Sequence, residues 1–247
     1  MRVWDVHPGY LNRQSLLGEH REIHAVLSVI INHKAGYARH PETVRWRGSL
    51  GALALRHDMV VAEMRFRGYG HRSPVICRDT PQWPGTFIDP PWRQFVLLEG
   101  KYRFREQGRI PLPRTTRQLW AQHKYSVLAR DPELYRAVGR EAAHPSDAQF
   151  FRDLSGTLVE ALRARPPQGR LVNAVLHLWG YVSGKDGVPP GGDPAVIMAQ
   201  IQQRARSMSV GYLLESTAMT DLAFWAQKRP CIHGDETGQC LKTKGAR

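Results

Sequence analysis

Apolar residues recur three or four positions apart along most of this 247-residue chain, whereas the alternating pattern of a half-buried strand is almost absent. The clearest stretch follows Asn12, a residue type that caps helix N termini. Its apolar positions form one stripe: Leu16, Leu17, Ile23, Val26, Leu27, Ile30 and Ile31. Such a stripe predicts an amphipathic helix with one buried face. We therefore expect a mainly α protein, with an N-terminal helical domain and a C-terminal helical domain.

Proline and glycine divide the rest of the chain into further helical segments. A stretch rich in proline and aromatic residues, 73–113, is expected to be an ordered loop around one helix. The predicted helices after the first are Pro41 to about Met64, Arg93 to Glu106, Thr116 to Ala129, Pro132 to Ala142, Ala148 to Ala164, Arg170 to Tyr181 and Pro194 to Ala226.

A boundary between two domains is predicted near residue 112. The segment Arg109-Ile110-Pro111-Leu112-Pro113 is the best candidate for a linker, although its surroundings are too aromatic for a simple flexible tether. This divides the chain into an N-terminal domain at 1–112, a second helical domain at 113–226 and a basic tail at 227–247.

The charge balance favours polyanionic partners. Lys and Arg total 35 against 22 Asp and Glu, which gives a formal net charge of +13. Such an excess suits counterion release from nucleic acid, but it can also serve solubility alone. Charge by itself therefore leaves nucleic-acid binding and simple solubility about equally supported.

Cysteine content and hydropathy predict a cytoplasmic protein without a membrane partner. Cys77, Cys231 and Cys240 are too few and too scattered for a disulfide framework. No secretory signal core and no apolar run long enough to span a membrane is expected. Cys231-Ile232-His233 with Cys240 lacks paired zinc-ligand spacing, so we predict neither a metal site nor a cofactor.

Glu19-His20-Arg21-Glu22 is the first group of residues with catalytic potential, because it lies on the first helix, close to the chain terminus. Glu19 and Glu22 are three residues apart and share one helical face. Two acidic residues at this spacing usually belong to a solvated surface. The spacing alone therefore does not decide between a surface pair and a catalytic site.

The segment from Leu11 to Glu22 resembles the first helix of the pyrimidine-dimer DNA glycosylases. Further matching stretches extend the resemblance over about residues 1–74: Met1-Arg2-Val3-Trp4, His7-Pro8, Tyr10-Leu11, Gly36-Tyr37, His40-Pro41, Ala62-Glu63-Met64 and Arg67-Gly68-Tyr69. The resemblance implies a repair enzyme that acts on damaged double-stranded DNA of the nucleoid. Ser15 and Ala25 replace a histidine and an arginine of the phage enzyme, so the preference for pyrimidine dimers follows less firmly than the chemistry.

In that family the N-terminal amine attacks C1′ of the damaged nucleotide, forms an imine and then permits β-elimination, assisted by a glutamate. By position the resemblance assigns the amine to Met1 and the glutamate to Glu22, with Arg2 and Arg21 near the DNA phosphates. An α-amine has an unperturbed pKa of about 7.7–8.0, so a useful neutral fraction exists near neutral pH. The bulky Arg2 side chain is expected to hinder removal of Met1.

Other residues of this region are candidate DNA contacts. Gln14, His40 and Arg45 are predicted to bind DNA, with a structural role for His40 and Arg45 left open. Trp4, Tyr37 and Trp46 are candidates to line the contact with an extruded nucleotide. For each aromatic residue taken singly, a place in the core is the commoner outcome.

The second half resembles the YbgA-like domain of unknown function over about residues 117–225. The matching stretches are Leu119 to Tyr125, Ala129 to Tyr135 and Arg170 to Tyr181. Polar residues at helical spacing here form either a pocket or, as we favour, a buried hydrogen-bonded network: His123, Lys124, Tyr125, Asn173 and His177. Two alternatives to the glycosylase stay open: a noncatalytic nucleic-acid binding protein, and an enzyme that acts on RNA or a modified base through this second domain.

Overall fold

The computed structural model describes residues 1–77, 79–144, 147–184, 187–189 and 191–227, and this part of the chain contains helices and no strand. The prediction of a mainly α protein is confirmed. A short 3-10 helix at Pro8–Tyr10 precedes the α-helices, which are α1 (Arg13–Ile31), α2 (Pro41–Trp46), α3 (Leu50–Phe66), α4 (Pro91–Tyr102), α5 (Thr116–Leu128), α6 (Pro132–Glu141), α7 (Ala148–Arg163), α8 (Gln168–Trp179), α9 (Pro194–Ser207), α10 (Gly211–Leu214) and α11 (Ala218–Gln227).

Side-chain caps explain where several of these helices begin. The Asn12 side chain accepts a hydrogen bond from the backbone N–H of Ser15 at the start of α1. Asp131 caps α6 and Asp147 caps α7 in the same way. These caps satisfy backbone N–H groups that have no partner within the helix.

Two of the predicted helices are interrupted. The helix expected from Pro41 to Met64 is broken into α2 and α3 because Gly48 adopts φ +86°, which a right-handed helix does not allow. The helix expected from Pro194 to Ala226 is α9, α10 and α11. Ser209 has φ +51°, and the backbone N–H of Thr217 donates to the carbonyl of Gln122 on α5 instead of continuing a helix.

The hydrophobic core does not divide at residue 112. One core cluster joins the N-terminal segment, α1 and α3 to α4, α5 and α7, and a second joins α3 to α5, α8, α9 and α11. Each cluster contains residues from both sides of the predicted boundary. The boundary at residue 112 therefore stays a prediction from the sequence. In the structure, residues on both sides of it pack into the same two core clusters.

The predicted linker is a packed segment. Ile110 is fully buried, and its N–H donates to the carbonyl of Gly9. Arg109 forms an ion pair with the buried Glu63, with Nη2 2.7 Å from Oε2. Burial alone would raise the pKa of the Glu63 carboxyl, but Arg109 and Arg67 hold that pKa well below its usual range. The segment therefore ties the two sequence halves together.

Two further predictions concern the C-terminal tail and membrane-spanning segments. Residues 228–247, nearly all of the predicted basic tail, lie outside the described residues, and so do Cys231, His233 and Cys240. Within the described ranges, every helix is too short or too polar to span a bilayer.

Candidate active site

The first residues of the chain run as an extended segment whose backbone is held by buried side chains from three helices. The N–H of Val3 donates to Glu42 Oε1 on α2 over 3.1 Å. The N–H of Trp4 donates to Glu19 Oε1 on α1, also over 3.1 Å. The side-chain oxygen of Gln94 on α4 accepts the next two N–H groups along the chain. The segment is thereby fixed in register against the helices.

The two carboxylates that hold the segment are themselves paired. Glu19 receives two hydrogen bonds from Arg56 on α3, 2.8 and 3.0 Å long. Glu42 accepts from the indole N–H of Trp46 and lies 3.6 Å from Nη1 of Arg45. Burial raises the pKa of both carboxyls, and the neighbouring arginines oppose that shift. Their partners make these residues a rigid support for the terminus.

The held segment brings the terminal amine of Met1 to Glu22. The amine nitrogen lies 4.0 Å from Glu22 Oε2. The Met1 side chain packs against the core, whereas 37% of the Glu22 side chain is exposed. The pair predicted to be nucleophile and carboxylate therefore lies together at an accessible surface. The separation exceeds a direct hydrogen bond, as is common at catalytic sites without substrate.

Glu19 and Glu22, equivalent by spacing, have different environments. Glu19 is 2% exposed and belongs to the ion pair with Arg56. Glu22 faces the amine. One turn of α1 thus carries both a structural carboxylate and a candidate catalytic one.

Arg2 and Arg21 differ in how free their guanidinium groups are. Arg2 is held by Asp89, with Nη1 2.6 Å from Oδ2, and its guanidinium carbon lies 4.6 Å from the centre of the Trp4 ring. Lys101 approaches the same buried ring. Arg21 is exposed beside Glu22 on α1. Of the two, Arg21 is the more accessible to a phosphate.

A second exposed group lies at the start of α1. Gln14 is exposed and accepts a hydrogen bond from Arg105. Phe104, the neighbour of Arg105, is 92% exposed, and the guanidinium carbon of Arg103 lies 5.9 Å from the centre of its ring. Phe104 was not among the residues predicted from the sequence, although an aromatic residue between two arginines was a visible signal.

Among the residues around α2, Tyr37 and His40 remain accessible and Arg45 does not. Tyr37 is 68% exposed and adopts φ +62°. His40 is half-buried, and its Nδ1 caps α2 by accepting the N–H of Glu42. The Arg45 side chain is 4% exposed and is bonded to Asp5, so its guanidinium is occupied within the protein. Of the three aromatic candidates, Trp4 and Trp46 are also buried.

The polar residues singled out in the second half do not form one pocket. His123 is buried, and its Nδ1 lies 2.9 Å from the carbonyl oxygen of Leu119. Burial lowers the pKa of this imidazole to about 4. Tyr125 shares a hydrogen bond with Tyr181, whereas Asn173 and His177 are exposed on α8. The network interpretation therefore applies to His123 and Tyr125 but not to Asn173 and His177.

No metal site was predicted from the sequence, but the structure brings together four histidines that could hold a metal ion. The ligand atoms of these residues, here named the histidine cluster, all lie within 4.8 Å of one another: His20, His24, His57 and His71. Two of them are four residues apart on α1, which is a common spacing for metal ligands on a helix. That part of the cluster was visible in the sequence.

Comparison with known families confirms both resemblances. Residues 1–76 match the family described as pyrimidine dimer DNA glycosylase, and residues 124–186 match the family described as protein of unknown function (DUF1722). No curated protein and no solved structure matches the chain. The N-terminal part is thus similar to DNA-repair glycosylases, and it contains both Met1 and Glu22.

Proposed function

We propose that this chain is a DNA glycosylase with associated lyase activity, in which the α-amine of Met1 attacks C1′ of a damaged nucleotide in double-stranded DNA. A pyrimidine dimer is the first candidate lesion. The observation that carries the proposal is the 4.0 Å approach of the amine to Glu22, within the segment that matches the glycosylase family. The substrate implies that the protein works at the nucleoid.

The proposed reaction begins with the neutral amine. Its lone pair forms a bond to C1′ while the bond from C1′ to the base breaks, and the base leaves with that electron pair. The sugar ring then opens at the bond between C1′ and O4′ to give an imine. Loss of a proton from C2′ expels the 3′ phosphate by β-elimination, and hydrolysis of the imine returns the free amine.

Glu22 is proposed to serve the steps that move charge. As a carboxylate it stabilises the positive charge that develops on the sugar and on the imine nitrogen. It also accepts the proton that the amine releases on attack and returns it to O4′ when the ring opens. Its partial exposure supports this role, because the substrate must reach it. Glu19 lacks such access.

Arg21, Gln14 and His40 are the proposed DNA contacts that retain solvent access. Arg2 is proposed to contact a phosphate next to the lesion while its bond to Asp89 limits its motion. Arg45 is left out of the proposed interface, because its internal ion pair with Asp5 would have to break. Tyr37 is the aromatic candidate to stack on an unpaired base, since an extruded nucleotide leaves a gap in the helix.

Borohydride trapping tests this proposal. Untagged protein whose N-terminal residue has been identified by mass spectrometry is incubated with duplex DNA that carries a cyclobutane pyrimidine dimer or an abasic site. Borohydride reduces the imine to a stable secondary amine, and mass spectrometry locates the adduct. We expect the adduct on the Met1 amine, together with strand cleavage.

Matched variants separate catalysis from binding. Glu22→Gln is expected to slow adduct formation by about 10²- to 10⁴-fold, whereas Glu141→Gln, an exposed glutamate on α6, should leave the rate unchanged. Acetylation of the terminal amine should abolish the adduct. An adduct on a lysine would refute the role of Met1. Absence of an adduct with either DNA would refute the catalytic proposal and favour a noncatalytic nucleic-acid binding protein.

A further inference from the structure

The histidine cluster joins three parts of the N-terminal region. His20 and His24 lie on α1, His57 lies on α3, and His71 lies in the segment that follows α3. Residues four apart on a helix are neighbours on one face, so His20 and His24 present their rings together. The ring centroids of His20 lie 4.8, 5.0 and 5.1 Å from those of the other three histidines.

The Nε2 atoms of these residues are buried and unpaired. All four Nε2 atoms are shielded from solvent and have no hydrogen-bond partner among the described residues. His57 is only 1% exposed. A buried polar atom without a partner costs on the order of 1–3 kcal/mol, and native proteins contain few of them. Four such atoms on histidines whose ligand atoms lie within 4.8 Å of one another therefore indicate that something other than protein satisfies them.

An outer contact orients one ring of the cluster as in metal sites. Nδ1 of His57 lies 3.1 Å from Oδ1 of Asp58. A metal-bound imidazole usually gives its second nitrogen to a carboxylate or a carbonyl in this way, which fixes the ring and leaves the other nitrogen for the ion.

The chemistry of the imidazole suits a metal ion at this place. A neutral imidazole has one nitrogen lone pair that is free to bind a metal, and binding an ion displaces any proton held there.

We infer that His20, His24, His57 and His71 bind one divalent transition-metal ion, with zinc the first candidate, through their Nε2 atoms. Neutral imidazoles suit zinc, copper and nickel, whereas calcium and magnesium prefer oxygen ligands. At a Zn–N distance of about 2.0–2.1 Å, the nitrogens of a tetrahedral site lie about 3.4 Å apart. Ligand atoms that already lie within 4.8 Å of one another reach that geometry by small side-chain movements.

The ion in this site is structural. Four protein ligands fill a tetrahedral zinc site and leave no position for water or substrate. Glu22 is two residues from both His20 and His24, so it lies about 160° around the helix from each of them, at 3.6 residues per turn. The metal therefore holds α1 against α3 and the segment at His71, on the side of α1 opposite the candidate catalytic surface.

Metal analysis of the full chain, purified without a histidine tag, tests the inference independently of any DNA chemistry. We expect one zinc ion per chain by elemental analysis, or after dialysis against zinc. Cobalt in place of zinc should give the strong visible absorption of tetrahedral coordination. At free zinc about 1,000-fold above Kd, Tm should rise on the order of 10 °C above that of the metal-free protein.

Two variants decide whether these residues are the ligands. His71→Ala removes a ligand that lies outside the helices and should abolish the cobalt absorption and the zinc-dependent rise in Tm. His177→Ala removes an exposed histidine on α8 and should change neither. Failure of the unmodified chain to bind zinc, cobalt, nickel or copper would overturn the inference. Undiminished binding by His71→Ala would overturn the assignment of the ligands.

Discussion

Two groups of polar side chains with buried nitrogen or oxygen atoms meet at α1, and they differ in how completely these atoms are paired. The carboxylates that hold the N-terminal segment, Glu19 and Glu42, have arginine or indole partners and backbone N–H donors. In the histidine cluster, Nε2 of every member has no partner among the described residues. Complete pairing is what we expect of a structural support, whereas four unpaired nitrogens gathered in one cluster are what we expect of a ligand site.

Removal of the arginine that pairs with Glu19 should cause the largest loss in the free energy of unfolding. Arg56→Ala leaves the Glu19 carboxylate buried without its partner, and such a loss costs about 3–5 kcal/mol of the free energy of unfolding. Denaturant titration measures it. Arg136→Ala, an exposed position on α6, should stay within about 0.5 kcal/mol of the unmodified protein. A loss below about 1 kcal/mol for Arg56→Ala would mean that the ion pair is not a support.

The histidine cluster should respond to mutation only when metal is present. Without metal, His71→Ala removes one unpaired buried nitrogen and should leave Tm equal or slightly higher. With zinc at about 100-fold above Kd, the unmodified protein gains about 2.7 kcal/mol and the variant does not. Thermal unfolding with and without zinc measures the difference. Equal destabilisation of the variant in both conditions would make the cluster an ordinary part of the core.

Asp58 tests the histidine cluster through a residue that is not itself a proposed ligand. Asp58→Asn weakens the contact that orients His57 and should lower zinc affinity about 10- to 100-fold. Competition against a chelating indicator measures the affinity. Asp153→Asn on α7 serves as the matched change and should have no effect. Unchanged zinc affinity in Asp58→Asn would show that the carboxylate does not orient a ligand.

The smallest change is expected in the salt dependence of DNA binding, which should differ between an exposed and a buried arginine. Arg21→Ala should reduce the slope of log K for DNA against log salt by about one, because one phosphate contact is lost. Arg45→Ala should lower stability and leave that slope unchanged, because its guanidinium is occupied by Asp5. Binding titrations at several salt concentrations measure the slope. A reduced slope for Arg45→Ala alone would reverse the two assignments.

The local parts of the fold were predictable from the sequence, and the tertiary parts were not. The apolar stripe and Asn12 predicted α1 closely, since both signals act within a few residues. The same spacing could not distinguish Glu19 from Glu22, because Trp4 and Arg56, which pair with Glu19, come from other parts of the chain. The break before α11 likewise depends on the carbonyl of Gln122 on α5.

For the candidate site, too, the sequence indicated individual residues but not which of them would lie together. The roles assigned to Met1 and Glu22 came from the resemblance of the first residues to a family, and no periodicity indicated that the two would lie together. Half of the histidine cluster was visible as the spacing of His20 and His24. His57 and His71 join them only through the packing of α3 and the segment after it against α1.

The held N-terminal segment fixes the distance from its first bonded residue to the amine of Met1. Because the N–H groups of residues 3–6 are bonded to buried side chains, nothing downstream can slide to absorb an added residue. One residue placed before Met1 would carry the amine as much as about 3.6 Å away from its position, a distance comparable to its whole separation from Glu22. In the proposed mechanism, one additional residue before Met1 would therefore be enough to separate the reacting amine from Glu22.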